Sequence, residues 1–492
     1  MVTTGTHNKT MSTHTFLWHD YETFGAQPRR DRPAQFAAIR TDADLNEIGE
    51  PLMLFCQPAN DYLPDPQSCL ITGITPQQCL ELGVPEHEFA RQIEAAFAEP
   101  GTVGVGYNTI RFDDEVTRFL FWRNLLDPYA REWQHNCGRW DLLDVVRMTY
   151  ALRPEGIQWP THPDGRPSFR LEDLTRANGL SHESAHDALS DVRATIALAR
   201  LIRDKQPRLF DFCLELRRKD KVASEMGLHL ERGSRQPFLH VSGMFPAEQG
   251  CLGLVWPLAQ HPSNKNEILV WDCRHDPSEL FGLDVDTIRQ RLFTRTADLP
   301  EGVTRLPIKS VHLNKSPMLV GNLKTLSSAM ATRWGIDLEQ GRAHAQLAAN
   351  GPDMAAVWAQ VYQKPAASND TDVDEDLYGG FVSNNDRRKL ESLRMQTPAQ
   401  LATARPSFED ERLAELLRRY RARNFPETLS EAEMEAWEEH RAARLFDGAG
   451  GARTVDQLFG EIDALSETAD ERAEEILGVL YEYVEAIAPS RY

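Results

Sequence analysis

Only seven of the 492 residues are cysteine, and no two of them form a C-x-x-C pair. Cys56, Cys69, Cys79, Cys137, Cys213, Cys251 and Cys273 stand singly, which suggests neither a zinc site nor a disulfide framework. An odd number of isolated thiols fits a reducing compartment, so a cytoplasmic protein is expected. No stretch approaches the roughly 18 uninterrupted apolar residues that a membrane helix needs, and no membrane partner is expected. The first fourteen residues are polar and rich in Thr, without the apolar segment of a secretory signal. Internal repeats at solenoid periods are absent as well. Basic residues are outnumbered, and the net charge of −20 taken alone argues against a nucleic-acid partner.

The distribution of that charge changes the reading. Residues 207–365 hold 19 basic against 17 acidic residues, a balance of +2, whereas residues 1–206 stand at −9 and residues 366–492 at −13. A nucleic-acid contact, if the chain makes one, would therefore rest on local basic and aromatic patches, and a metal site would neutralise part of the N-terminal acid. Composition is otherwise ordinary for globular chains, with 41% hydrophobic and 26% charged residues, and the length suits about three domains.

Thr15–Thr23, Gln35–Thr41, Leu52–Gln57 and Thr102–Val105 read as strands. Glu115–Leu126, Leu142–Tyr150, Leu171–Ala177 and Ala188–Ile202 have helical spacing. Strands followed by a strand–helix alternation predict an α/β domain, a mixed sheet covered by helices. Lys205-Gln206-Pro207 breaks the last helix and marks a boundary. Short β-type runs follow at Phe238–Val241, Leu252–Val255 and Ile268–Trp271, which predicts a small barrel with some helix added. Lys364 to Asp376 reads as a polar, acidic linker. Beyond it, helical periodicity in Arg412–Arg421 and Glu431–Leu445 predicts an all-α domain. The expected divisions are residues 15–203, 207–362 and 366–492.

Three elements carry chemistry. Asp20 and Glu22 lie two apart on the first strand, so their carboxylates share a face. Two like charges buried together are unfavourable unless a cation sits between them, and hard divalent ions choose such oxygens. A D-x-E pair alone equally describes two solvated acids on an edge strand. Asp113 and Asp114 follow a buried strand and open a helix, where either can serve as its cap. Ala185-His186-Asp187-Ala188-Leu189-Ser190-Asp191 is the third element. His186 and Asp191 converge only if His186 precedes the helix and Asp191 lies on its first turns, with Asp187 the natural N-cap.

Together the three elements resemble, in order and residue type, the DEDD exonucleases of the histidine subclass across residues 15–203. The resemblance narrows to the bacterial exonuclease I family. It is carried by His19-Asp20-Tyr21-Glu22-Thr23-Phe24-Gly25, Asp31-Arg32-Pro33-Ala34-Gln35-Phe36, Arg111-Phe112-Asp113-Asp114-Glu115-Val116 and Leu152-Arg153-Pro154-Glu155-Gly156. His240-Val241-Ser242-Gly243-Met244-Phe245 and Arg421-Ala422-Arg423-Asn424-Phe425-Pro426 extend it over nearly the whole chain.

That family implies a ribonuclease H-like nuclease domain, an SH3-like β-barrel domain and an all-α C-terminal domain. It implies processive 3′→5′ degradation of single-stranded DNA to 5′-mononucleotides, in repair and recombination. Asp20, Glu22, Asp113 and Asp191 would hold two Mg2+ ions, with Mn2+ able to substitute. Asp20 would bridge them, Glu22 and Asp191 would complete the nucleophile side, and Asp113 would act on the leaving-group side. His186 would take the proton from the attacking water, a task its ordinary pKa suits.

Glu22 and Arg170 would touch the substrate. Arg118, Tyr129, Trp133, Arg147 and Arg153 supply the mixed basic and aromatic set that single strands require. For the two aromatics, core packing competes with that role. The family also implies a monomer that binds the acidic C-terminal tail of single-stranded DNA-binding protein. Other histidine-type DEDD enzymes, such as oligoribonucleases and proofreading subunits, are single nuclease domains, and the further 289 residues here argue against them. All five expected active-site residues are present, against a degenerate scaffold.

Overall fold

In the computed structural model the described residues are 14–181, 187–363 and 371–489. They divide into two units: Met1–Gly138 with Glu183–Arg193 and Ser368–Tyr492, and Arg139–His182 with Ala194–Ala367.

The first unit is built on β1 (Thr15–Thr23), β2 (Pro33–Thr41), β3 (Leu52–Phe55) and β4 (Thr102–Gly106), in the order β3-β2-β1-β4. β1 runs antiparallel to β2 and parallel to β4, so the sheet is mixed. Phe16, Trp18 and Tyr21 are buried on this strand, and both of its edges are paired. β1 is therefore central, which removes the edge-strand reading of Asp20 and Glu22. Pairing with β4 stops at Trp18↔Val105, so both acids sit just past the end of the parallel ladder. Loops leaving carboxyl ends of parallel strands are where such sheets gather ligands.

Between β3 and β4 lie three helices that the strand pattern did not reveal: α1 (Pro66–Thr72), α2 (Pro76–Leu82) and α3 (Glu86–Ala98). The first two begin with a capping Asp65 or Thr75 followed by proline, the expected start signal. After β4 comes α4 (Asp113–Arg123). Neither Asp113 nor Asp114 caps it; the N-cap position is Phe112 and makes no side-chain cap. Both acids lie inside the first turn, where the helix dipole favours negative charge.

Helices between Asn384 and Ile487 complete the same unit. Phe119, Trp122 and Leu125 pack with Leu377, Leu413 and Tyr420, and Phe24 and Tyr62 pack with Leu458 and Leu480. Residues 371–376, expected as solvated linker, behave otherwise. Asp374 is only 3% exposed and accepts from Arg32 (3.2 Å), Arg419 (3.3 Å) and Arg423 (2.5 Å). Asp61 pairs with the same Arg423 at 2.7 Å. Acidic composition is here a buried arginine–aspartate lattice, because each carboxylate found a guanidinium far away in the chain.

β5 (Gly138–Asp141) leads into α5 (Leu142–Leu152), and α6 (Leu171–Ala177) and α7 (Ala188–Lys205) follow. Pro207 ends nothing for long, since it is the first residue of α8 (Pro207–Glu215). α9 (Lys219–Glu225) precedes a curled antiparallel sheet of β6 (Phe238–Val241), β7 (Leu252–Gln260), β8 (Glu267–Asp272), β9 (Ile308–His312) and β10 (Met318–Val320). Its order is β10-β6-β7-β8-β9. The register of β7 on β8 shifts between Pro257 and Ala259, where proline removes a ladder donor. Among the described residues no helix is long and apolar enough to cross a membrane.

Candidate metal centre and aromatic groove

Alternation along β1 places Asp20 and Glu22 on one face, and Tyr21 on the other packs against Phe36 at 4.7 Å between ring centroids. The third acid comes from α7. Asp187 accepts from Ser190 N–H at 3.2 Å and so caps the helix as expected, setting Asp191 in the first turn. Ligand oxygens of Asp20, Glu22 and Asp191 lie within 4.8 Å of one another.

Asp113 is held against this group by backbone. The Tyr21 N–H, between the two β1 acids, donates to Asp113 Oδ1 at 3.1 Å. A close approach makes this possible: a Cβ on Gly106, at the end of β4, would stand 2.5 Å from the His19 carbonyl oxygen. Asp114 has a separate role, ion-paired with Arg131 at 2.5 Å in the interior.

Burial raises the Asp20 carboxyl well above the usual range, helped by Asp113, Glu22 and Asp191. Burial likewise pushes Glu22 up to about 8, with Asp191 and Asp113 adding to it. Carboxylates crowded together and disfavoured by burial are what a hard cation relieves. The donor set is all oxygen, which fits a divalent ion of that class. His19, next in sequence to Asp20, is not part of the group. It is 2% exposed, packs on Phe97, and burial lowers it to about 4, so it stays neutral. His186 lies outside the described residues.

The remaining expected contacts separate into two kinds. In the first unit, Tyr129 and Trp133 line a groove of about 470 Å³. Trp133 is 64% exposed, too open for a core residue. Phe381, 93% exposed, lines the same groove with Arg387, Arg388 and Arg394. These were missed in the sequence because they fall between a stretch read as linker and the first clear helical period; the lone aromatic of Gly380-Phe381-Val382 was the available signal. Arg118 does not face this groove as a free cation. It is buried, pairs with Glu132 at 2.8 Å and Glu115 at 2.5 Å, and lies 5.3 Å from the Tyr129 ring centroid. Its guanidinium supports Tyr129, with its charge already matched.

In the second unit, Arg147 bonds Asp144 at 2.7 Å and lines a cavity of about 560 Å³ with Arg166 and Phe245. Arg153 donates to the Thr325 carbonyl at 3.0 Å. Arg170, at the N-cap of α6, is largely exposed and reaches Glu172 at 3.2 Å.

A mixed-sheet domain whose carboxyl edge gathers buried acids for divalent ions is the frame of a metal-dependent exonuclease. Sequence comparison agrees with that class. A family model described as "Exonuclease" matches residues 17–199, one for the "Exonuclease I SH3-like domain" matches 217–364, and one for the "Exonuclease I C-terminal domain" matches 371–487.

Exodeoxyribonuclease I of Escherichia coli strain K12 is 46% identical over 482 residues, covering 96% of this chain and 98% of that protein. The solved structure of a moderately thermophilic exonuclease I from Methylocaldum szegediense superposes with a TM-score of 0.91 at 48% identity, covering 96% of this chain and all of that one. E. coli exonuclease I in complex with a dA16 oligonucleotide gives 0.87 at 45%, covering 96% and 100%. A further structure of the E. coli enzyme, in an SSB/exonuclease I complex with an inhibitor, gives 0.86 at 44%, covering 96% and 99%. The chain belongs to the bacterial exodeoxyribonuclease I family.

Proposed function

We propose that this exonuclease removes nucleotides from the 3′ end of single-stranded DNA, processively and as 5′-mononucleotides, by two-metal-ion hydrolysis in DNA repair and recombination. The observation that carries the reading is the convergence of Asp20, Glu22 and Asp191 within 4.8 Å. With Asp113 beside them, these acids would hold two Mg2+ ions, for which Mn2+ substitutes. Bound there, the ions supply positive charge for the attacking and leaving oxygens of the displacement. Tyr21 N–H keeps Asp113 oriented toward the β1 acids. His186, carried over from the family motif, takes the proton from the attacking water. Its replacement by alanine is expected to slow single-turnover cleavage on the order of 10²–10⁴-fold while strand affinity persists. Lost affinity with an unchanged single-turnover rate would reassign it.

Trp133 and Tyr129 stack bases in the groove of the first unit, and Arg147, Arg153 and Arg170 contact phosphates. Stacking tolerates any sequence because every base has a π-face. Trp133→Ala is expected to weaken single-strand binding by about 1–3 kcal/mol, read by fluorescence anisotropy with EDTA present to prevent cleavage. The E. coli enzyme seen with dA16 and with SSB supports single-stranded DNA as substrate and single-stranded DNA-binding protein as partner. That partner would bring its acidic C-terminal tail to basic side chains near Arg153. We read the chain as a cytoplasmic monomer organised as residues 15–203, 207–362 and 366–492.

One assay tests the whole reading. End-labelled single and double strands of DNA and RNA are incubated with Mg2+ or with EDTA. The expected result is 3′→5′ loss from single-stranded DNA only, and only with Mg2+. Cleavage in EDTA, or loss from the 5′ end, would refute it.

A further inference from the structure

The acids of β1 share their face with a group from the neighbouring strand that the chemistry above leaves unused. β2 pairs with β1 so that Gln35 lies directly opposite Glu22, and Ala37 opposite Asp20. Residues facing each other across an antiparallel pair put their side chains on one face, with Cβ atoms about 4.5–5.5 Å apart. The intervening pair, Tyr21 and Phe36, points the other way and packs together in the interior. Gln35 therefore extends the acid face by one neutral polar group.

Its surroundings give that group little to bond. Gln35 is 4% exposed, and its amide oxygen is buried without a hydrogen-bond partner among the described residues. On the far side β3 sets Phe55, which has no polar side chain to offer. On the near side is Glu22, whose ionised carboxylate can only accept. An unpartnered amide oxygen by itself marks no site. Gln77 has one as well, but there the amide nitrogen is tied to the Val479 carbonyl where two helices pack. Gln35 differs by its place beside the acids. A buried acceptor left unmatched is costly, and in a native protein it calls for a donor that arrives with something the fold binds.

Water on a divalent ion is a donor that fits. A hard ion of this class keeps several waters when carboxylates bind it, and its charge makes them strong donors. A further carboxylate at Gln35 would add to negative charge that burial already disfavours at Glu22. A guanidinium or ammonium there would compete with the ion. An amide oxygen accepts from bound water and does neither.

We propose that Gln35 is a positioning residue of the metal centre, its amide oxygen accepting from a water bound to the ion that Glu22 holds. The proposal rests on the metal-ion reading given above. Groups that orient a metal's ligands in this way typically cost about 10–100-fold in metal affinity when removed.

The experiment follows the melting temperature of the full-length protein, without DNA, as Mg2+ is added to metal-stripped samples. Gln35→Met keeps the side-chain length and removes the amide, whereas Gln35→Glu keeps an acceptor oxygen in either protonation state. Gln35→Met is expected to need about 10–100-fold more Mg2+ for the half-maximal shift. In EDTA it should melt no lower than the parent, because an unmatched acceptor is gone. Gln35→Glu should bind Mg2+ at least as tightly as the parent. If Gln35→Met does not fold, Gln35→Asn, which draws the amide back by one methylene, carries the same expectation. A purely structural role predicts lower melting in EDTA with the Mg2+ dependence unchanged, and that result would overturn the proposal. So would a Gln35→Glu protein that binds Mg2+ as weakly as Gln35→Met. A second arm measures single-strand affinity in EDTA by anisotropy. Lost strand affinity with an unchanged Mg2+ dependence assigns the amide to the substrate, and the metal role fails. A parent protein that shows no Mg2+-dependent shift loses the metal reading and the role of Gln35 together. A parent that responds, beside a Gln35→Met protein that responds equally, loses the role of Gln35 alone.

Discussion

Replacing Asp20 by alanine is expected to stop DNA cleavage and to stabilise the metal-free protein at the same time. Loss of a metal-holding acid removes several kcal/mol of transition-state stabilisation, on the order of 10³-fold or more in rate. The same change deletes one of the like charges that burial and three neighbouring carboxylates already disfavour. A single-turnover rate on labelled strands and a melting curve in EDTA check the two halves separately. A folded Asp20→Ala protein that turns over near normally would remove the two-metal assignment.

The sign of the pH effect follows from Glu22. Its folded-state pKa stands near 8, raised by burial, Asp191 and Asp113, whereas an unfolded chain titrates it near the ordinary carboxylate value. A raised carboxylate leaves the native state holding a proton that the unfolded chain has released. Its contribution is therefore intact below the unfolded value, is lost as pH climbs, and levels off above about 8. Glu22→Gln should match wild type near pH 4 and become progressively more stable than it toward pH 8, in EDTA. Mg2+ should raise the wild-type melting temperature little at the acid end and most at the alkaline end. A Glu22→Gln advantage that shrinks with rising pH would contradict this account of the site.

The second large effect is expected far from chemistry. Asp374→Ala should destabilise the fold by about 3–5 kcal/mol, the usual cost of stripping one partner from buried ion pairs. Arg423, Arg32 and Arg419 hold its carboxyl far below the ordinary range, though burial works against them. Without it, Arg423 is left with Asp61 and Arg419 with Asp372, while Arg32 keeps only Glu86 at 3.9 Å. Chemical denaturation measures the loss. A change under about 1 kcal/mol would mean that water, not aspartate, satisfies these arginines.

Local pattern made part of this legible. The bounds of β1 at Thr15–Thr23 and α6 at Leu171–Ala177 follow from period and turn residues, and so does the shared face of Asp20 and Glu22. Asp191 in the first turn of α7 followed from the Asp187 cap. What failed to show were relations with no local signal. Asp114 finds Arg131, and Arg118 finds Glu132, through a loop whose path no periodicity encodes. Asp374 meets Arg32 across more than 300 residues of chain, so an acidic stretch that looked like solvated linker is interior.

The first unit takes Phe119 and Trp122 from early in the chain and seats them against Leu413 and Tyr420 from near its end. During synthesis, Asp20, Glu22, Asp113 and Asp191 have all left the ribosome while the residues that close this core are still to be made. At roughly 5–20 residues per second, the 180 positions between Asp191 and residue 371 take on the order of ten to forty seconds. Over that interval the growing chain carries the acids of a nuclease without the packed interior that fixes α4 against them. A chain cut short before the last helices is therefore left with Phe119 and Trp122 uncovered, apolar surface that the complete sequence buries.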